Sequence, residues 1–193
     1  ISNEINVLSH GGDGAEIETV NLKQVLDSVI RMAQPEMQHR ATVIREYEES
    51  NLYVRGSRTR VSQVFLNLIV NAAQAIDPGD RMQNTITVRA RSTDKDRVCV
   101  EVQDTGPGIS AQLLRRIFDP FVTTKPAGRG TGLGLSICRR LVHSLEGPIE
   151  IQRHPGQGTV ARVVLPRAAP AQRPLTVPPP SMSAIRRAAR GRL

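Results

Sequence analysis

The segment from Arg58 to Ile76 carries side chains that a plain core helix does not need. Val61, Val64, Phe65, Leu68, Ile69, Ala72, Ala73 and Ile76 recur at i, i+3, i+4 and i+7 and predict one wide apolar face. Gln63, Asn67, Asn71 and Gln74 form a second, narrow stripe, spaced by four, four and three residues. On a solvated face Lys and Glu are better helix formers than Asn. Two Asn one turn apart can instead present amide oxygens to a hard cation without adding negative charge beside a phosphate. Taken by itself, the helix is equally well explained as one with a polar face that happens to hold a few amides.

A carboxylate and a glycine-rich loop extend this chemistry. Val98-Cys-Val-Glu-Val-Gln-Asp104 alternates strictly, so Val98, Val100, Val102 and Asp104 share one strand face, and three valines mark that face as buried. Asp104 therefore ends a strand with an inward carboxylate, which needs a partner. The amino group of adenine, with two N–H donors, suits it. Thr105-Gly106-Pro107-Gly108 follows as a tight turn that another group can approach closely. Further on, Gly128-Arg-Gly130-Thr131-Gly132-Leu133-Gly134 opens a helix whose apolar face is Leu135, Cys138, Leu141, Val142 and Leu145. Free N–H groups at a helix start attract anions, and glycine lets phosphate oxygens reach the backbone. No Gly-Lys-Ser/Thr closes the loop, so it is not a Walker A motif. It lacks the preceding buried strand and the following acidic residue of a dinucleotide fingerprint.

Taken in order, these segments resemble the boxes of the GHKL ATP-binding family, which includes gyrase, Hsp90, histidine kinases and MutL. Asn67-Leu-Ile-Val-Asn71-Ala-Ala resembles its N box and Asp104-Thr-Gly106-Pro-Gly108 its G1 box. Phe118-Asp-Pro-Phe121-Val-Thr-Thr124-Lys125 is similar to the F box of the histidine-kinase branch, and Gly130-Thr-Gly132-Leu-Gly134-Leu to the G2 box. Pro155-Gly-Gln-Gly158-Thr159 and the strand after it resemble the closing hairpin. The resemblance implies a Bergerat ATP-binding fold: a two-layer α/β sandwich of a mixed, mainly antiparallel sheet with helices on one face. It implies ATP and Mg2+ as ligands, with Asn71 on the metal and Asp104 on the adenine. Gly106, Gly108, Ile109, Thr124, Lys125, Gly130, Thr131, Gly132, Leu133 and Gly134 would line the nucleotide, and Asn67, Asn71 and Lys125 would serve catalysis.

Hydrolytic members of the family carry a general-base Glu four residues before the metal-binding Asn, where this chain has Asn67. An amide cannot take a proton from water, so the resemblance points to phosphoryl transfer rather than hydrolysis. The expected function is the catalytic domain of a two-component sensor histidine kinase, with a histidine on a separate dimerisation domain as acceptor. The alternatives are a nucleotide-binding regulatory module without transferase activity, and a GHKL serine kinase or conformational ATPase. His10, His39, His143 and His154 lack the acidic neighbour and downstream proline of a phosphoacceptor helix. The acceptor is therefore expected upstream, in a full-length homodimer, with a response regulator or receiver domain as the downstream partner.

The chain of 193 residues suits one domain with spare length. Its net charge of +8 invites a nucleic-acid reading, but Arg167, Arg173, Arg186, Arg187, Arg190 and Arg192 lie in a C-terminal stretch without Asp or Glu. Aromatics make up 3% of the chain, too few for a base-stacking platform, so nucleic acid is not the expected main ligand. Cys99 and Cys138 lack metal-ligand spacing and suit a reducing cytoplasm.

The elements expected to position these groups follow in order. Residues 1–10 have the spacing of a last helical turn, from Ile1, Ile5 and Leu8, and would end the dimerisation helix; 11–18 would be linker. The ATP-binding domain is expected over 19–166. Within it Asn21 caps a helix that Pro35 should kink or end, and strands fall near 42–48, 51–54, 85–91 and 97–103. Ser110 caps a short helix to Ile117. A lid covers about 119–130, with Phe121 and Val122 its apolar anchors, and strands near 148–153 and 158–165 finish the sheet. Residues 167–193, rich in Pro, Ala and Arg, read as linker or tail.

Overall fold

The computed structural model describes residues 16–48, 52–79, 81–94, 96–123, 130–154 and 158–169. The expected end of a dimerisation helix, most of the linker, half of the lid and most of the tail lie outside these.

Each of the first three helices starts where a short polar side chain can cap it. Asn21 accepts from the Gln24 N–H at 3.2 Å and opens α1 (Leu22–Met37). Ser57 accepts from Arg60 N–H at 3.4 Å and opens α2 (Arg58–Ala75). Ser110 accepts from Leu113 N–H and opens α3 (Ala111–Leu114). Every residue assigned to the apolar face of α2 is buried, and α1 buries Leu22, Val25, Leu26, Val29, Ile30 and Met37. Pro35 neither stops nor shortens α1, which runs on to Met37. Proline removes one N–H so near the end that little is lost, and the buried Met37 side chain anchors the final turn. α3 is shorter than expected. The chain leaves it through a turn closed by Arg116 N–H on Leu113 O at 2.9 Å, which still buries Ile117.

Among the described residues seven strands form two sheets. β1 (Glu18–Asn21) pairs antiparallel with β3 (Tyr53–Gly56). The main sheet has the order β2-β4-β5-β7-β6, from Thr42–Tyr47, Thr85–Asp94, Arg97–Asp104, Thr159–Pro166 and Ile149–Arg153 respectively. β2 runs parallel to β4 and the other pairs are antiparallel. The sheet is therefore mixed and mainly antiparallel, as the residue pattern and the resemblance led us to expect. Backbone bonding continues past the expected boundary at 166: Arg167 bridges Val54, and Ala168 N–H bonds Tyr53 O at 2.8 Å.

One sheet face is covered by α1, α2 and α4 (Gly134–Ser144), with α2 in the middle touching both other helices and the β4–β5 pair. Ile86, Val88, Ala90, Val98, Val100, Val102 and Val163 meet the helices in a single core. On the other face the strands are tied by charge. Arg162 donates to Glu101 at 2.9 Å directly across the β5–β7 ladder, and Arg89 to Gln103 at 2.6 Å. Alternation thus separates an apolar layer from a polar one, and α2 is held between α1, α4 and the β4–β5 pair.

Candidate nucleotide site

The last two turns of α2 face both parts of the candidate site. Asn71 lies on the half-buried flank of α2 that faces α4, and a methyl group built on Gly134 would stand 3.7 Å from Asn71 Nδ2. The amide therefore sits against the first residue of α4. One turn further on, about 6 Å along the axis, the carbonyl of Ala75 meets the turn after β5. A methyl group on Gly106 would fall 3.1 Å from Ala75 O and 2.9 Å from Asp104 Oδ1. No side chain larger than hydrogen fits between α2 and that turn.

Asp104 ends β5 with its side chain inward and is 4% exposed. Its Oδ1 accepts the Gly106 N–H at 2.8 Å, and the carboxylate also accepts from the backbone and hydroxyl of Thr159. Burial raises its pKa above the ordinary carboxylate range, and the donors from Gly106 and Thr159, with His154 nearby, oppose the shift. Thr159 was not among the site residues read from the sequence. It stands opposite Asp104 in the β5–β7 ladder, so finding it requires the register of strands 55 residues apart. The Gly158-Thr159 pair at the start of the last strand was the available signal. Gly158 has φ +96, and a methyl group there would sit 1.9 Å from Asp104 O, so backbone passes directly over backbone at this point.

α4 differs from the other helices in its start. Leu133 holds the cap position and makes no side-chain cap bond, so the first turn of α4 has no protein oxygen laid over it from that residue. The preceding loop turns at Gly132, φ +67, whose carbonyl accepts the Phe121 N–H at 3.0 Å. A methyl on Gly132 would lie 2.4 Å from the Phe121 carbonyl carbon. Thr131 is exposed and its hydroxyl accepts from Leu133 N–H at 3.3 Å, while Gly130 is half-buried. Phe121 itself adopts φ 65 and is 75% exposed. Its backbone, not its ring, anchors the segment, which corrects the expectation of an apolar anchor. Gly108 and Ile109 continue the turn beyond Asp104, both half-buried. Thr124 and Lys125 lie outside the described residues.

Asn67 sits one turn before Asn71 and hydrogen-bonds the Cys138 thiol of α4. Cys138 is fully buried, its thiol donating to Val64 O at 3.7 Å, and burial pushes its pKa up to about 12. It is a packing residue and not a nucleophile. Among the described residues no cluster of three or more His, Cys, Asp or Glu could hold a metal ion. A lone Asn amide beside a helix start fits a cation carried in largely by phosphate oxygens better than one caged by protein. An open groove of about 780 Å3 runs along α4 between Phe118, Leu133, Arg139, His143 and Ile149 and includes neither Asn71 nor Asp104.

Residues 56–169 match the family model described as histidine kinase-, DNA gyrase B- and HSP90-like ATPase. The chain belongs to this family. Sporulation kinase A of Bacillus subtilis is 33% identical over 168 residues, covering 86% of this chain and 27% of that protein. The catalytic domain of the histidine kinase ThkA superposes with a TM-score of 0.68 at 30% identity, over 79% of this chain and 96% of that one. ThkA is also known in complex with the response regulator TrrA, where the TM-score is 0.63 at 28% identity, over 79% of this chain and 42% of that one. Full-length ShkA in complex with AMPPNP gives a TM-score of 0.68 at 25% identity, over 81% of this chain and 32% of that one. The chain spans 27% to 31% of the length of the first curated relatives it matches. It thus has the ATP-binding fold of histidine-kinase catalytic domains. Among the described residues no helix is long and apolar enough to cross a membrane.

Proposed function

We propose that this chain is the catalytic and ATP-binding domain of a cytoplasmic two-component sensor histidine kinase. It binds Mg-ATP and passes the γ-phosphoryl group to a histidine on a dimerisation domain upstream, within a full-length homodimer. The phosphate then goes to a response regulator or receiver domain. The observation that carries this reading is that Asn71 and Ala75, one turn apart at the carboxyl end of α2, meet the start of α4 and the Gly106 turn that bonds Asp104, respectively. The AMPPNP complex of ShkA and the ThkA–TrrA complex support the ligand and the partner.

In this reading Asp104 accepts from the adenine amino group, with Gly106 and Thr159 fixing its orientation and Gly108 and Ile109 completing the base end. Gly130 to Gly134 present backbone N–H groups to the phosphates, and Thr124 and Lys125 approach them from the lid. Asn71 contributes an amide oxygen to magnesium, which would neutralise phosphate charge during transfer. Asn67 supplies no base, so water is not activated and ATP survives until the acceptor arrives. Catalysis by these residues is positioning and charge stabilisation.

The test joins this chain to its own dimerisation segment and supplies γ-labelled ATP with magnesium. Acid-labile label on a histidine of that segment is the expected result. Label that never leaves ATP, despite tight ATP binding, would favour a regulatory nucleotide-binding module; label on serine would favour the serine-kinase branch.

A further inference from the structure

The carboxyl end of α2 is held from outside the site. α2 has 18 residues and no basic residue in its last turn. Its final carbonyls carry the negative end of the helix dipole and need donors. Arg40, in the turn after α1, holds the residue that follows them: its guanidinium Nη1 donates to the carbonyl of Ile76, the extended cap residue, at 2.5 Å. The same turn holds the next stretch of chain, since Gly79 N–H bonds His39 O at 3.1 Å and Thr42 N–H bonds Asn84 O at 2.9 Å. One turn earlier on α1, Glu36 accepts from Gln74 Nε2 at 3.4 Å. Two charged side chains at the end of α1 thus grip the end of α2.

That end is the wall against which the base-recognising turn rests. The carbonyl next to the one Arg40 holds belongs to Ala75, and Gly106 packs on it with no room for a methyl group. Gly106 in turn donates to Asp104 Oδ1. The connection after α2 reaches the same turn from the other side: Thr105 Oγ1 bonds Asn84 Oδ1 at 3.2 Å, and Thr85 N–H donates to Thr105 Oγ1 at 3.0 Å. A displacement of Ile76 therefore moves the surface under Gly106 and the carboxylate it orients.

We propose that Arg40 is a positioning residue for purine recognition, acting through the end of α2 and the Gly106 turn on Asp104. It makes no contact with the ligand, and its effect falls on the base end of the site rather than on Asn71 and the start of α4. The proposal rests on the ATP-binding reading above. A cation with a single forward donor can replace part of its role, because both charge and one hydrogen bond to Ile76 O survive in lysine.

The experiment measures affinities of the whole chain for ATP and for inosine triphosphate, in magnesium, by calorimetry. Inosine triphosphate has a carbonyl oxygen and an N1–H where adenine has its amino group and a bare N1, so the ratio of the two affinities reads the base edge assigned to Asp104 and its turn. In Arg40→Met the ratio falls about tenfold, the scale of one disturbed charged hydrogen bond, because ATP weakens and inosine triphosphate does not. Arg40→Lys keeps the ratio within about twofold of the unmodified chain. A ratio unchanged in Arg40→Met, even with a lowered melting temperature, overturns the proposal and leaves Arg40 a stabilising residue only. Equal loss for both nucleotides in both variants also overturns it. An unmodified chain that fails to prefer ATP removes the underlying reading instead, independently of any variant.

Discussion

Asp104 is buried, ionisable and already bonded by Gly106 and Thr159, so small changes there have large expected effects. Asp104→Asn should weaken ATP by roughly ten- to a hundredfold, the loss of a charged hydrogen bond of about 1.5–3 kcal/mol, as read by calorimetry. The pH dependence follows from the raised carboxyl. A group with a raised folded pKa is more protonated folded than unfolded, so its ionisation disfavours the fold as pH rises from the ordinary to the raised value. Binding adenine has the opposite demand, because the protonated acid has lost part of its capacity to accept. ATP affinity should therefore decline on acidification from a pH above the ordinary aspartate range, while Asp104→Asn shows no such step. A flat profile in the unmodified chain would remove Asp104 from base recognition. Asn71→Ala should leave melting temperature nearly unchanged and abolish the magnesium dependence of ATP binding; retained dependence would move the metal elsewhere.

At the scale of elements, α1 and α2 were legible because sixteen- and eighteen-residue helices repeat their apolar face several times over. The β4–β5 pair was equally plain, with two alternating runs joined by a short turn. β3 was harder: four residues cannot choose a partner by pattern, and its pairing with β1 depends on where α1 delivers the chain. Thr159 escaped for a related reason, since its place opposite Asp104 exists only in the assembled ladder. The end of α1 was misjudged because proline's cost depends on how many bonds remain beyond it. The G1, G2 and N-box positions could be read one by one, but not that Gly106 and Gly134 would contact the same helix. Gly158→Ala tests that assembly. Its methyl would meet Asp104 O, and its φ disfavours any side chain, so strain of about 1–3 kcal/mol should lower the melting temperature. ATP affinity should fall with it, because relief requires β7 to move from Asp104. Full affinity in a destabilised variant would uncouple the hairpin from the base.

At the scale of the molecule, the proposed function divides the work between a site that binds ATP and an acceptor supplied to it. With an amide at position 67, the chain alone should hold ATP and release phosphate very slowly, and no label should stay on its own histidines. Steady release of phosphate in a coupled assay would place the chain with the hydrolytic branch. β3 has a bearing on how such a domain is governed. Its strand is flanked on one edge by β1, which leads into α1, and on the other by Arg167 and Ala168, which leave the last strand of the main sheet. The incoming and outgoing segments are thus moored to opposite sides of one four-residue plank. A tug on either mooring is borne by the same short strand, through hydrogen bonds along opposite edges of it.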